Sequence, residues 1–290
     1  LGMLINDVQR FFASCQMIIE IFYVQPTIAD RYMARDPGVR PQGDVEYRNV
    51  TLTIDGATIL DDISFHVKPG ETLGIIGTTG SGKTTLVGML TRINDPTSGD
   101  VLLDGEPVQS YTLKALRRHI GVAMQDVFLF SDTVDSNIAY GDPDMPFEDV
   151  QKYARTADAD EFIRKMEDGY DTLVGERGVG LSGGQKQRIS LARALAIRPA
   201  VLILDDTTSA VDMETEKYLQ EQLRNLDFPC TKIIIAQRVS SIEDADLILV
   251  LDHGRIVESG THRELLKNKG FYRHIWAIQN SKEEGESIGA

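Results

Sequence analysis

Hydrophobic positions recur at three- and four-residue steps over 4–22, at Leu4, Val8, Phe11, Phe12, Cys15, Ile18, Ile19 and Phe22. This spacing predicts an amphipathic helix that needs a partner surface, on its own domain or on another. The next stretch, 25–43, contains Pro26, Pro37, Gly38, Pro41 and Gly43 and reads as a linker. From 44 onward the pattern is globular. Short β-rich runs at 45–54, 63–67 and 101–103 are broken by turns at Asp55-Gly56, Pro69-Gly70 and Asp104-Gly105. Leu73 to Ile76 is a short apolar strand, followed by a Gly-rich loop and a helix from about Lys83. The stretch 133–196 is expected to be mostly helical, with segments near 148–166 and 183–197. Val201 to Leu204, Ile233 to Ala236 and Leu247 to Leu251 each have the length of a buried parallel strand, with helical text at 214–226. The layout predicts an α/β core with an antiparallel β patch near its start and a helical insert in its middle, at about 127–195. The chain divides into 1–43 and 44–290.

The Gly-rich loop carries the clearest chemistry. Gly77-Thr78-Thr79-Gly80-Ser81-Gly82-Lys83-Thr84 fits G-x-x-x-x-G-K-S/T, between a strand and a helix. Its glycines let successive backbone N–H groups point inward, and the helix N-terminus adds positive potential. Thr79, Gly80, Ser81, Gly82, Lys83, Thr84 and Thr85 are therefore candidate contacts for the phosphates of ATP or ADP. Lys83 supplies a point charge for the outer phosphates, and the Thr84 hydroxyl is a candidate Mg²⁺ ligand. Val201-Leu202-Ile203-Leu204-Asp205 is an apolar strand ending in a carboxylate, and Asp205 is a second candidate for Mg²⁺.

The net charge of -14 argues against wrapping around a nucleic-acid backbone, though not against a local phosphate site built from backbone N–H groups. Arg117-Arg118-His119 could form a nucleic-acid patch, but in so acidic a chain it reads as a cluster that caps a helix and faces solvent. His66, His253, His262 and His274 have no metal-ligand spacing. Cys15 and Cys230 read as two reduced thiols. The apolar stretch from Phe11 to Val24 is too short and too polar to span a bilayer. The start at Leu1-Gly2 reads as a piece of something longer, and Lys282-Glu283-Glu284-Gly285-Glu286 as a frayed tail. Phe128-Leu129-Phe130 suits either the core or an exposed contact patch.

Leu181-Ser182-Gly183-Gly184-Gln185 resembles the signature sequence of ABC ATPases, and Lys186-Gln187-Arg188 and Leu191-Ala192-Arg193-Ala194 follow it as is usual there. Ala123-Met124-Gln125-Asp126 looks like the Q-loop, Ser209-Ala210-Val211-Asp212 like the D-loop, and Thr172-Leu173-Val174-Gly175-Glu176-Arg177-Gly178 like the X-loop of the exporter branch. The resemblance runs in order from about 44 to 280. It implies a P-loop NTPase core and two such domains meeting head to tail. Ser182, Gly184 and Gln185 would then complete a nucleotide site held mainly by the other domain, and Gln125 would reach Mg²⁺ or the attacking water. Residues 1–25 resemble the cytoplasmic end of an exporter's last transmembrane helix. This places the domain at the cytoplasmic face of the cell membrane, beneath the transmembrane domain of its own full-length chain.

Three positions depart from the family pattern. Asp206 stands where Glu is usual as general base, and Gln237 where the switch residue is usually His. The position where an aromatic ring normally stacks on adenine falls at Ile54, with Tyr47 nearby. All three weaken the chain's own site, while the signature is intact. The expectation is a heterodimeric exporter in which this half holds ATP at a slow site and lends its signature to a non-identical partner. The alternative is a homodimer with a slower Asp/Gln site. Other classes fit less well. A soluble repair or translation ATPase usually has a coiled-coil insert or two cassettes, and an importer ATPase usually begins near its first strand. A regulatory clamp differs from the exporter half only in emphasis.

Overall fold

A computed structural model describes residues 2–175, 178–207, 211 and 213–286, with side chains described to residue 280. Helix α1 (Gly2–Phe22) follows the expected period, yet none of its residues is buried. Among the described residues, no helix is long and apolar enough to cross a membrane.

The antiparallel patch is a four-stranded sheet. Strand β1 (Val45–Ile54) lies between β2 (Ala57–Val67) and β4 (Ser98–Leu103), and β4 pairs with the short β5 (Glu106–Pro107). Asp55 and Gly56 take φ of 50° and 80°, the left-handed pair that a two-residue hairpin needs, so Ile54 and Ala57 face each other. Asp104 and Gly105 repeat the device between β4 and β5.

The main sheet has six strands in the order β10-β9-β3-β8-β7-β6. Here β3 is Thr72–Gly77, β6 Ile120–Ala123, β7 Val201–Asp205, β8 Thr231–Ile235, β9 Leu247–Asp252 and β10 Arg255–Gly260. All pairings from β9 to β6 are parallel, and β10 is an antiparallel edge. Every residue of β7 is buried, as its unbroken apolar run requires of a strand covered on both faces. Strand β6, only four residues long and broken by Gly121, has no continuous apolar run in the sequence to mark it. Helix α2 (Lys83–Leu90) packs between the two sheets, and Leu86, Met89 and Leu90 join Val45, Leu60, Leu73 and Ile75 in one core.

Helices α3 (Leu113–Arg118), α4 (Val134–Ile138), α5 (Phe147–Thr156), α6 (Asp160–Arg164) and α7 (Gly183–Ala196) follow. The expected single segment over 148–166 is two helices, because Asp158 takes a left-handed φ of 55° between them. The apolar faces of α4 to α7 close around Val134, Ile138, Val150, Ile163 and Ile189, and this core runs on to Leu202 and Leu204 of β7. Helix α8 (Met213–Arg224) covers the same side. Helices α9 (His262–Lys267) and α10 (Phe271–Glu286) end the described chain, so the segment read as a frayed tail continues α10.

The segment read as a linker has little regular structure but is fastened along its length. The Ala29 carbonyl accepts from Arg92 at 3.2 Å, and the Arg35 N–H donates to the Ser110 carbonyl at 2.9 Å. The Arg40 guanidinium donates to the carbonyls of Arg198, Pro199 and Pro229 at 3.2, 2.8 and 2.5 Å. The Asp104 carboxylate accepts from the N–H groups of Gln42, Gly43 and Asp44.

Candidate functional site

The carboxyl ends of β3, β6, β7 and β8 lie side by side, which is where open α/β sheets place their ligands. Strand β3 ends at Gly77, where nothing larger fits. A Cβ there would stand 2.0 Å from the Leu251 carbonyl oxygen of β9. The loop then turns on Gly80 and Gly82, with φ of 79° and 98°. Gly82 is the N-cap of α2 and makes no side-chain cap, so the first N–H groups of the helix remain free for an anion. A Cβ at Gly82 would also meet Leu60 at 2.9 Å, so the antiparallel sheet walls the loop from behind.

Lys83 is half-buried and folds over the loop, donating to the Gly77 and Thr78 carbonyls at 2.9 and 2.8 Å. Burial lowers its pKa, while Asp205 and Asp206 oppose that shift. The Thr84 hydroxyl donates to Asp205 Oδ2 at 2.8 Å, so both candidate Mg²⁺ ligands meet in the fold. Asp205 is buried at the end of β7. Asp206, next in the chain, is buried with φ of 50°, and its N–H donates to the Ile235 carbonyl at 3.0 Å. That left-handed backbone is rare for a residue with a Cβ, and such strain collects at functional sites. Gln237, beyond β8, donates from Nε2 to Asp206 Oδ2 at 2.7 Å.

These groups surround a cleft of about 660 Å³. Thr79, Gly80, Gly82, Lys83, Thr84, Thr85, Gln125, Asp205, Asp206 and Gln237 all line it. Ser81 does not. Its side chain is buried with Oγ unpartnered, its N–H donates to the Thr78 carbonyl at 3.2 Å, and its carbonyl accepts from Gly254 at 3.1 Å. Ile54 does not line the cleft either, because the hairpin turn carries it to the far end of β1. Ile59, Phe271 and Ile275 supply the apolar walls instead. Tyr47 is spent in the core, with its hydroxyl on the Leu86 carbonyl at 2.8 Å and its ring stacked on Phe65. Sequence reading missed the α10 residues, although Phe271, Ile275 and Ile278 follow a helical period.

Ser182 caps α7 from an exposed position. Its Oγ accepts from the Gln185 N–H at 3.3 Å, and Gln185 Oε1 accepts from the Ser182 N–H at 2.9 Å. Ser182, Gly184 and Gln185 are not brought to the cleft of their own chain. Gly183 instead borders a second hollow of about 460 Å³ with Gln125, Phe128 and Lys186, so Gln125 stands between the two. In the apolar triplet, Leu129 is fully buried, Phe128 is half-exposed, and Phe130 stacks on Tyr140 at 4.2 Å. Arg117 is exposed and also caps a helix, as expected: its guanidinium donates to the carbonyls of Thr91 and Arg92 at the carboxyl end of α2. Ser209, Ala210 and Asp212 of the D-loop-like segment, and Glu176 and Arg177 of the X-loop-like segment, lie outside the described residues. Cys15 and Cys230 are free thiols.

The site suits Mg²⁺ bound together with a nucleotide. Among the described residues no cluster of three or more His, Cys, Asp or Glu could cage a metal unaided. Mg²⁺ needs no such cage, since one or two carboxylates with phosphate oxygens and water complete its shell. The Thr84 hydroxyl and Asp205 carboxylate meet that requirement.

Comparison with known proteins agrees with this geometry. The chain is 45% identical over 281 residues to the uncharacterized ABC transporter ATP-binding protein YknU of Bacillus subtilis (strain 168), covering 96% of this chain and 48% of that protein. It is 45% identical over 276 residues to the ATP-dependent lipid A-core flippase of Pseudomonas fluorescens (strain Pf0-1), covering 94% and 46%. A solved structure of a bacterial Atm1-family ABC exporter with ATP bound superposes with a TM-score of 0.89 at 37% identity, over 96% of this chain and 49% of that one. The chain thus spans about half the length of these relatives. Residues 60–209, just over half of the sequence, match the ABC transporter family, and with the phosphate loop, paired carboxylates and signature helix in place, the chain belongs to that family as an ATP-binding domain.

Proposed function

We propose that this chain binds MgATP in the cleft around Lys83 and, as part of an ABC exporter, uses it to drive association with a second nucleotide-binding domain. The observation that carries the reading is the convergence of Lys83, Thr84, Asp205, Asp206 and Gln237 at adjoining strand ends. The free N–H groups at the start of α2 and the Lys83 ammonium hold the phosphates. Thr84 and Asp205, with Gln125, hold Mg²⁺, which when bound neutralises charge on the phosphate oxygens. Asp206 takes the proton of the attacking water, and Gln237 orients the γ-phosphate.

The same residues support a slow site. Asp206 is one methylene shorter than Glu, and its carboxylate is already engaged by Gln237. Gln237 donates a hydrogen bond but carries no imidazolium charge. The capped Ser182–Gln185 turn is at least partly exposed and lies outside its own cleft, as suits a group serving another chain's γ-phosphate. The partner is a non-identical half with Glu and His at the matching positions. The unburied apolar face of α1 meets the transmembrane domain of the full-length chain, at the cytoplasmic face of the membrane. The net charge of -14 disfavours a nucleic-acid partner.

The test is nucleotide binding by the purified chain. MgATP binds, and Lys83→Ala weakens it on the order of tenfold or more, as loss of charge-assisted hydrogen bonds requires. Absence of MgATP affinity, or full affinity in Lys83→Ala, refutes the reading. In the assembled transporter, Ser182→Ala lowers ATPase activity more than Asp206→Ala, and the reverse ranking favours a homodimer.

A further inference from the structure

Helix α10 reaches the switch loop with a single side chain. Gln279 Nε2 donates to the Gln237 carbonyl at 2.9 Å, and Gln279 Oε1 accepts from the Val239 N–H at 2.9 Å. One amide thus grips the main chain on both sides of Arg238. Phe271, Ile275 and Gln279 recur every four residues, so they lie on one stripe of α10. The first two line the nucleotide cleft, and the third braces the loop that carries Gln237. The helix itself is well seated. Tyr272 is fully buried, its hydroxyl lies 2.7 Å from His262 Nδ1, and its N–H donates to Glu258 at 3.2 Å.

We propose that Gln279 is a positioning residue for the nucleotide site: through its two bonds to the switch loop it holds the Gln237 side chain at Asp206 and the γ-phosphate position. The inference rests on the proposed function, since it needs a nucleotide in the cleft. Without the amide, the Gln237 carbonyl and Val239 N–H lose their partner, and the loop is held at its two ends, by the Ala236 N–H on the Ile75 carbonyl at 3.0 Å and by Gln220 on the Ser240 carbonyl at 3.3 Å. Arg238 on the far side reaches Glu216 at only 3.4 Å, a poor substitute. The effect belongs to the third phosphate. The P-loop contacts are made by other elements and do not depend on α10.

The experiment compares MgATP and MgADP affinities of the 290-residue chain for wild type, Gln279→Met, Gln279→Ala and Gln237→Ala, by displacement of a fluorescent nucleotide. Gln279→Met keeps the length and packing of the side chain and removes both bonds. The expected result is a preference for ATP over ADP reduced by about 2- to 12-fold, as loss of the one hydrogen bond from Gln237 to the third phosphate allows, with MgADP affinity unchanged. Gln279→Met adds nothing further in a Gln237→Ala background. Amide hydrogen exchange at Val239 is faster in Gln279→Met. A preference equal to that of wild type overturns the inference, as does an equal loss of both affinities, which marks a purely structural role, or unchanged exchange at Val239. A wild-type chain with no affinity for either nucleotide defeats the proposed function instead.

Discussion

Gln237 and Asp206 are joined by a 2.7 Å hydrogen bond that ties the loop after β8 to the end of β7. The bond restrains the carboxylate that would have to accept a proton from water. It also occupies one of the two amide hydrogens that Gln237 can offer to phosphate.

Asp206→Glu should therefore raise turnover. The longer side chain moves the carboxylate outward by roughly 1.5 Å, one C–C bond. A misplacement of that size is worth on the order of a hundredfold in rate. Phosphate release at saturating MgATP measures it, with Asp206→Asn as the inactive reference. An Asp206→Glu variant no faster than wild type shows that distance is not what limits the site.

Much of this site was legible because its demands are local. Gly80 and Gly82, with their left-handed φ, and Lys83 and Thr84 are fixed by what one turn of backbone around a phosphate needs, and the sequence shows each need directly. The α/β class and the order of sheet and insert were equally readable from apolar runs such as Val201 to Leu204. Other features depend on distant neighbours. Strand β6 has four residues and exists because β7 lies beside it; its Gly121 has no room for a Cβ, which would stand 2.5 Å from the Ala194 carbonyl oxygen. Asp158 gives no sign in sequence that it breaks a helix. Ile54 and Ile59 are equally apolar, and only the hairpin between them decides which one reaches the cleft. Gln279 looks like any polar residue near a chain end.

Ser182→Ala should destabilise α7 even where no nucleotide is present. The exchange removes half of the capping box with Gln185, at a cost of about 1 kcal/mol. Ser182→Thr keeps an acceptor and should restore most of it. Urea melts of the three chains test the ranking, and equal midpoints would show that the cap adds nothing.

Asp95→Ala should be more damaging than a surface position suggests. Its partner Arg92 is 1% exposed and donates to both carboxylate oxygens, at 2.8 and 2.9 Å. Removing the carboxylate leaves a buried guanidinium uncompensated, for about 3 kcal/mol. A loss below about 1 kcal/mol, typical of exposed pairs, contradicts this account.

Burial pushes the Cys230 thiol up to about 11. The folded chain therefore holds that proton more tightly than the unfolded chain does. The associated stability is complete below the thiol's ordinary range and is lost as pH rises through about 11. Stability of wild type should fall more steeply than that of Cys230→Ala between pH of about 9 and 11, as urea midpoints would reveal. At neutral pH a thiol reagent should modify Cys15 and spare Cys230.

The strap that leads from α1 to β1 leaves little slack. Only residues 23–28 separate the end of α1 from the first bond that fastens the strap, at Ala29. Fully straightened, they span roughly 20 Å at about 3.5 Å per residue. A pull on α1 that exceeds this length is borne first by Arg92, then by Asp30 on the Leu113 N–H, then by the backbone bonds of Arg35, and last by the three carbonyls under Arg40. Those carbonyls sit at the amino ends of β7 and β8, so the tug travels down the same two strands whose opposite ends carry Asp205, Asp206 and Gln237.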